Sequence, residues 1–117
     1  MRFMMMTTDT GPDTAPPDER MQQEMGEFIA EMAKSGVLLA TGGLEPDGTR
    51  ISAVDGKITV TDGPFAESKE GVVGFALIEV RTREEAIELS KRFYGIVGGG
   101  EGVIKQVFGP DDPYPGQ

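Results

Sequence analysis

The chain contains no cysteine. Disulfides, thiolate nucleophiles and cysteine-ligated metals are therefore excluded, and nothing marks a secreted disulfide scaffold. It contains no histidine either. The commonest general base near neutral pH is missing, and with it the usual ligand of haem and zinc. Acid–base chemistry falls to Asp, Glu, Lys or Tyr with shifted pKa values, or to the substrate or a cofactor. Positive charge is scarce: 11 Lys and Arg stand against 20 Asp and Glu, a formal net charge of -9. That field repels a phosphate backbone and an anionic membrane, so neither nucleic acid nor membrane is expected as a partner. A solvated surface is one consequence of the acidity; an acidic docking site is the other.

At 117 residues, one domain over 1–117 is expected, because two would each hold too small a core. The apolar run around Met4-Met5-Met6 carries a single basic residue, Arg2, and is too short for a signal sequence or a membrane span. A cytoplasmic location is the default expectation.

Residues 2–7 read as a first strand. The Thr-, Asp-, Gly- and Pro-rich stretch 9–19 reads as a loop. Pro16 and Pro17 suit the first turn of a helix, with Asp18 and Glu19 complementing its positive end. Met21, Met25, Phe28, Ile29, Met32 and Ala33 then recur at helical spacing, and Gly36 stops the run. Val37 to Thr41 reads as a strand, with Gly42-Gly43 as a turn or bulge. Arg50 to Val54 and Lys57 to Thr61 pair across Asp55-Gly56, a strong hairpin signal. Val72 to Val80 is the longest apolar strand. Thr82 and Glu85 form a capping box for a second helix, with Ala86, Leu89, Phe93 and Tyr94 inward. Gly95 and Gly98-Gly99-Gly100 end it, Val103 to Phe108 is the last strand, and 109–117 reads as a mobile tail.

The order β–α–β, hairpin, β–α–β is a ferredoxin-like split βαβ plan with an inserted hairpin. The fold class is α+β, an antiparallel sheet with two helices on one face. The strand at 72–80 sharpens this: Val72, Gly74, Ala76, Ile78 and Val80 take one side, and Val73, Phe75 and Leu77 the other. A strand with one wet face alternates apolar and polar residues; this one does not. Helices cover one side only. Either a second copy packs sheet on sheet over the other, giving a homodimer, or the C-terminal tail folds across it.

The most individual segment is 61–71, Thr-Asp-Gly-Pro-Phe-Ala-Glu-Ser-Lys-Glu-Gly. Asp62-Gly63-Pro64 is turn chemistry: Asp62 suits bonds to backbone N–H groups, Gly63 suits positive φ and Pro64 fixes φ. Phe65 suits a plug at the open end of the core. Glu67, Lys69 and Glu70 suit a pocket rim, with Lys69 kept protonated by its acidic neighbours and able to hold an anionic group. The same residues also suit a plain turn followed by a solvated surface. Arg50, on the neighbouring strand, is expected to pair with Asp62 or Glu67. The ligand-binding candidates are Asp62, Phe65, Glu67, Lys69, Glu70 and Arg50, with no catalytic residue singled out.

At this segment the chain resembles the YCII-related superfamily, in its branch named for the tetrapeptide present as Asp62-Gly63-Pro64-Phe65. The match runs on through Ala66-Glu67-Ser68-Lys69-Glu70, and the order of elements agrees from the methionine-rich first strand to Val107. The resemblance implies a ferredoxin-like subunit in a dimeric α+β barrel. It implies for some members an enzyme acting on ring compounds, such as a dehydrochlorinase with a His–Asp pair; that pair has no counterpart in a chain without histidine. It also implies, through frequent neighbourhood to extracytoplasmic-function sigma factor genes, an accessory role in regulation.

Other motifs are weaker. Gly98-Gly99-Gly100-Glu101-Gly102 lacks the ending of a phosphate loop and precedes a strand. The methionines at 4, 5, 6, 21, 25 and 32 read as core packing, not as a soft-metal site. Asp9, Asp13, Asp18 and Glu19 fit no calcium-loop spacing. Tyr94 suits a proton donor at a pocket mouth or a partly buried packing role. No cofactor and no metal is called for. Two functions stay open: a dimeric small-molecule-binding protein or cofactor-free enzyme acting on a small cyclic or aromatic compound, and a non-catalytic interaction protein.

Overall fold

The chain is described here by a computed structural model over residues 1–8, 18–45, 47–63 and 71–113. Its elements are β1 (Arg2–Thr8), α1 (Glu19–Lys34), β2 (Leu38–Gly43), β3 (Thr49–Val54), β4 (Lys57–Asp62), β5 (Val72–Glu79), α2 (Arg83–Val97) and β6 (Glu101–Val107). Four strands form one antiparallel sheet in the order β2-β5-β1-β6, and β3-β4 forms a separate two-stranded sheet. This is the expected α+β plan, a split βαβ with an inserted hairpin. No helix among the described residues is long and apolar enough to cross a membrane.

Local chemistry accounts for the helix ends. Asp18 is the N-cap of α1, its carboxylate accepting from the Met21 N–H at 2.8 Å. Pro16 and Pro17 therefore precede the cap instead of occupying the first turn, and lie outside the described residues. In α2 the Thr82 hydroxyl accepts from the Glu85 N–H at 3.1 Å, while the Glu85 carboxylate reaches back to the Arg81 N–H at 3.2 Å. Helix α2 runs through Gly95, which was expected to end it, and stops at Gly98.

The period-2 alternation of the strands builds two unlike sheet faces. Phe3, Met5 and Thr7 of β1 stand opposite Ile78, Ala76 and Gly74 of β5 and face the helices. At one end of this layer Phe3 and Ile78 are fully buried against Val80 and Ala86, forming the solid core. The Arg83 guanidinium lies 5.1 Å from the Phe3 ring centre and closes that end. On the opposite face Met4 and Met6 pair with Leu77 and Phe75. Neither α1 nor α2 lies on that side.

Two boundaries differ from the sequence expectation. Gly42 and Gly43 lie inside β2 and pair with Phe75 and Gly74; the irregularity falls earlier, between Leu38 and Ala40. Strand β6 begins at Glu101, so Gly102 is a ladder residue opposite Thr7. The tail residues 109–113 include a turn in which the Gly109 N–H donates to the Asp112 carboxylate at 2.7 Å.

The hairpin turns at Asp55 (φ 52°) and Gly56 (φ 77°), the left-handed pair that a two-residue turn demands. Every residue of β3 and β4 is exposed. The Cα radius of gyration is 16.7 Å, against about 13.4 Å for a compact chain of this length. The hairpin is an arm.

Candidate functional site

The space between sheet and helices is solid at the Phe3–Ile78 end and hollow at the other. The hollow end is a cavity of about 250 Å³. Its floor comes from β1, β2, β5 and β6, including Met5, Thr7, Thr41, Gly74, Ala76 and Gly102. Its roof comes from Met25, Phe28, Ile29 and Met32 of α1 and Ser90, Phe93 and Tyr94 of α2. The methionines at 5, 25 and 32 thus face one another across an apolar space, the packing role their spacing suggested. Among the described residues none that lines it is charged.

Small residues make the hollow. Across the sheet Gly43, Gly74, Thr7 and Gly102 form one row in register. A Cβ on Gly74 would sit 2.9 Å from the Thr7 hydroxyl oxygen. A Cβ on Gly102 would run into both the Tyr94 hydroxyl and the Met6 carbonyl oxygen. Glycine is required there for close approach of chain to side chain.

Most polar groups in the wall are already committed. The Thr7 hydroxyl donates to the Gly74 carbonyl at 3.4 Å, Thr41 to the Phe75 carbonyl at 2.9 Å, and Ser90 to the Ala86 carbonyl at 3.1 Å. Tyr94 differs: its hydroxyl has no hydrogen-bond partner among the described residues. Its ring packs edge-on against Phe93, centroids 5.0 Å apart. Burial pushes its phenol above the ordinary value of 10.0 by desolvating the anion. At neutral pH Tyr94 is therefore a neutral donor with no acceptor among the described residues, beside the glycine row.

Of the residues singled out in the sequence, Asp62 and Arg50 are described and Phe65, Glu67, Lys69 and Glu70 lie outside the described residues. The Asp62 carboxylate accepts from the Thr49 hydroxyl at 2.9 Å. Asp62 is in register with Thr49, and Arg50 with Thr61, so the two project from opposite faces of the hairpin; Glu67, the other partner expected for Arg50, lies outside the described residues. The Gly63 N–H donates to the Gly48 carbonyl at 2.9 Å and closes the base of the arm. The chain re-enters the sheet at Val72, opposite Thr8. Thr7, Thr41, Gly74 and Gly102 were not singled out in the sequence; a glycine inside the apolar run 72–80 was the one available signal of close backbone approach. Asp18 is spent as a helix cap, and no three carboxylates gather among the described residues.

A ferredoxin-like sheet roofed by two helices over an apolar cavity is the class that fold and site define. The family model of the YCII-related domain matches residues 1–93, and the chain belongs to that family. An uncharacterised protein of Rhizobium meliloti (strain 1021) is 30% identical over 76 residues, covering 63% of this chain and 61% of that protein. The match thus spans less than two thirds of its relative's length. Among solved structures, 5-chloro-2-hydroxyhydroquinone dehydrochlorinase from Burkholderia phenoliruptrix AC1100, in complex with 2,5-dihydroxybenzoquinone, aligns with a TM-score of 0.45 at 13% identity, covering 97% of this chain and 100% of its own.

Proposed function

We propose that the protein binds one small, substituted six-membered ring compound in the cavity between sheet and helices, working as a pair of identical chains. The observation that carries this reading is the cavity of about 250 Å³, with an uncharged wall and one uncommitted phenol donor. An apolar cavity of roughly 150 Å³ takes a benzene-sized ligand, so this space suits a ring with one or two substituents. Tyr94 gives such a ring its orientation by donating to a carbonyl or hydroxyl oxygen. The pairing of chains is supported by the sheet face bearing Met4, Met6, Phe75 and Leu77, which neither α1 nor α2 covers. Sheet-on-sheet packing about a two-fold axis is the economical cover.

For any turnover, Tyr94 serves as acid and not as base. Asp62, Glu67 and Lys69, at the base of the arm and in the segment after it, are the titratable groups to test, with Arg50, Phe65 and Glu70 as further contacts. Lys69→Ala weakens binding of anionic rings several-fold and leaves neutral ones alone.

Thermal-shift titration with catechol, hydroquinone and benzoate tests the reading. Saturable stabilisation is expected from the neutral phenols, because binding to the native state alone raises its stability. Benzoate is expected to stabilise as well, and to do so less in Lys69→Ala. No saturable shift with any of the three at millimolar concentration overturns the proposal.

A further inference from the structure

Sulfur occurs in this chain only as thioether, in 7 methionines with no cysteine. Two of these, Met5 on β1 and Met25 on α1, are half-buried and border the cavity from its floor and its roof. Met32 borders it too but is only 6% exposed. Met1 and Met21 do not line it. A methionine packed into a solid core is shielded from reagents in water. One that borders a space of about 250 Å³ is not, because hydrogen peroxide is little larger than the water such a space admits.

We propose that Met5 and Met25 form a modification site for hydrogen peroxide inside the cavity, and that their sulfoxidation shuts the cavity to a ring. The regulation rests on the ring-binding reading and adds a control to it. Peroxide is the sole oxidant. A thioether lone pair attacks one peroxide oxygen, and the S–O bond forms as the O–O bond breaks. The departing hydroxide takes the proton of the new S–OH group and leaves as water, so sulfur is oxidised by two electrons and peroxide is reduced. The step needs neither a thiolate nor a general base, which suits a chain without cysteine or histidine.

The product changes the wall in two ways. A sulfoxide oxygen is a polar group set into an uncharged surface, where it is costly unless it finds a donor. The Thr7, Thr41 and Ser90 hydroxyls are spent on backbone carbonyls, which leaves the Tyr94 hydroxyl as the uncommitted side-chain donor among the described lining residues. Sulfoxide and ring oxygen therefore compete for one phenol, in a space that the added oxygen has narrowed. Methionine sulfoxide is returned to methionine by its reductases, so the change is reversible.

Peptide mass spectrometry of the full chain, kept folded in dilute hydrogen peroxide with a metal chelator, tests this. Met5 and Met25 are expected to oxidise within about tenfold of the rate of Met1, which is 50% exposed, and Met32 more slowly. Saturating phenol is expected to slow Met5 and Met25 at least about threefold and to leave Met1 and Met21 unchanged. By isothermal titration the oxidised chain is expected to bind phenol at least about tenfold more weakly. Met5→Leu combined with Met25→Leu, which conserves volume, is expected to bind phenol equally well before and after peroxide treatment. Met5 and Met25 left intact while Met1 and Met21 react overturns the site. Phenol that binds yet shields neither Met5 nor Met25 overturns its place in the cavity, and an oxidised chain of undiminished affinity overturns the regulation. Phenol that does not bind at all sinks the ring reading and the regulation with it, and leaves oxidised Met5 and Met25 as the modification site.

Discussion

Arg92 of α2 donates from Nη2 to Oε2 of Glu31 on α1 at 2.6 Å, and its guanidinium carbon lies 4.7 Å from the centre of the Phe28 ring. Phe28 lines the cavity from within, so this pair stitches the roof from outside. Both side chains are more than half exposed, which limits the ion pair to about 1 kcal/mol or less, with a similar amount from the ring contact. Arg92→Ala is expected to lower the urea-unfolding free energy by about 1 to 2 kcal/mol and to speed release of a bound ring. Arg92→Lys should recover only part of this, because an ammonium lacks the flat guanidinium face.

Tyr94→Phe separates binding from folding. The hydroxyl has no partner among the described residues, so its loss should change stability little. Affinity for catechol should fall about threefold to tenfold, the worth of one hydrogen bond, while affinity for toluene stays the same. Isothermal titration of both ligands into both proteins checks this.

The same residue sets an alkaline limit. Its folded-state pKa lies above the unfolded value of 10.0. Below pH 10 both states are protonated and stability does not depend on this group. As pH rises above 10, the unfolded chain loses the proton first, the folded state binds more protons, and stability declines until the folded phenol also ionises. Urea midpoints measured from neutral to strongly alkaline pH should show this decline in the unaltered chain and a smaller one in Tyr94→Phe.

Gly102→Ala is expected to cost about 1 to 3 kcal/mol and to abolish ring binding, since its Cβ displaces Tyr94 or the Met6 backbone. Gly74→Ala meets only the Thr7 side chain, which can rotate at the loss of one weak hydrogen bond, and should cost less. Chemical denaturation of the two variants side by side reads the difference.

The two ends of the helix–sheet layer should also respond differently to truncation. Ile78→Ala removes a fully buried side chain from the solid end and should cost about 2 to 5 kcal/mol. Met25→Ala enlarges a space that is already open, so it should cost less and should broaden the range of rings accepted. Equal losses in calorimetric unfolding would mean the hollow end is as tightly packed as the solid one.

The plan of the fold was legible where a pattern was local and repetitive. Asp55-Gly56 between alternating strands marked the hairpin, and the long apolar run at 72–80 marked a central strand of the sheet. The glycines misled in both directions. Gly42-Gly43 looked like a turn, yet it is strand, because the Phe75 ring comes within 3.2 Å of where a Cβ on Gly42 would sit. Gly95 looked like a stop, yet α2 continues to its cap at Gly98. A pocket between sheet and helices was legible, but its lining was not, since it depends on Gly74, Thr7 and Gly102 meeting in one row, and those three come from strands far apart in the chain. Helical spacing placed Tyr94 on the inner side of α2 but not beside a glycine. Alternation along β3 separates Arg50 from Asp62, a register effect that residue proximity along the chain conceals.

The strand order β2-β5-β1-β6 imposes a schedule on how the chain reaches its native state. Strand β1 sits at the centre, yet its partners are the fifth and sixth strands to leave the ribosome, and Thr8 meets the Glu101 carbonyl across 93 positions. The methionine-rich first strand must wait, unpaired, until nearly the whole polypeptide has been made. Such distant pairing places refolding toward the slow, millisecond-to-second end for small domains, and leaves β1 dependent on whatever shields Met4, Met5 and Met6 in the meantime.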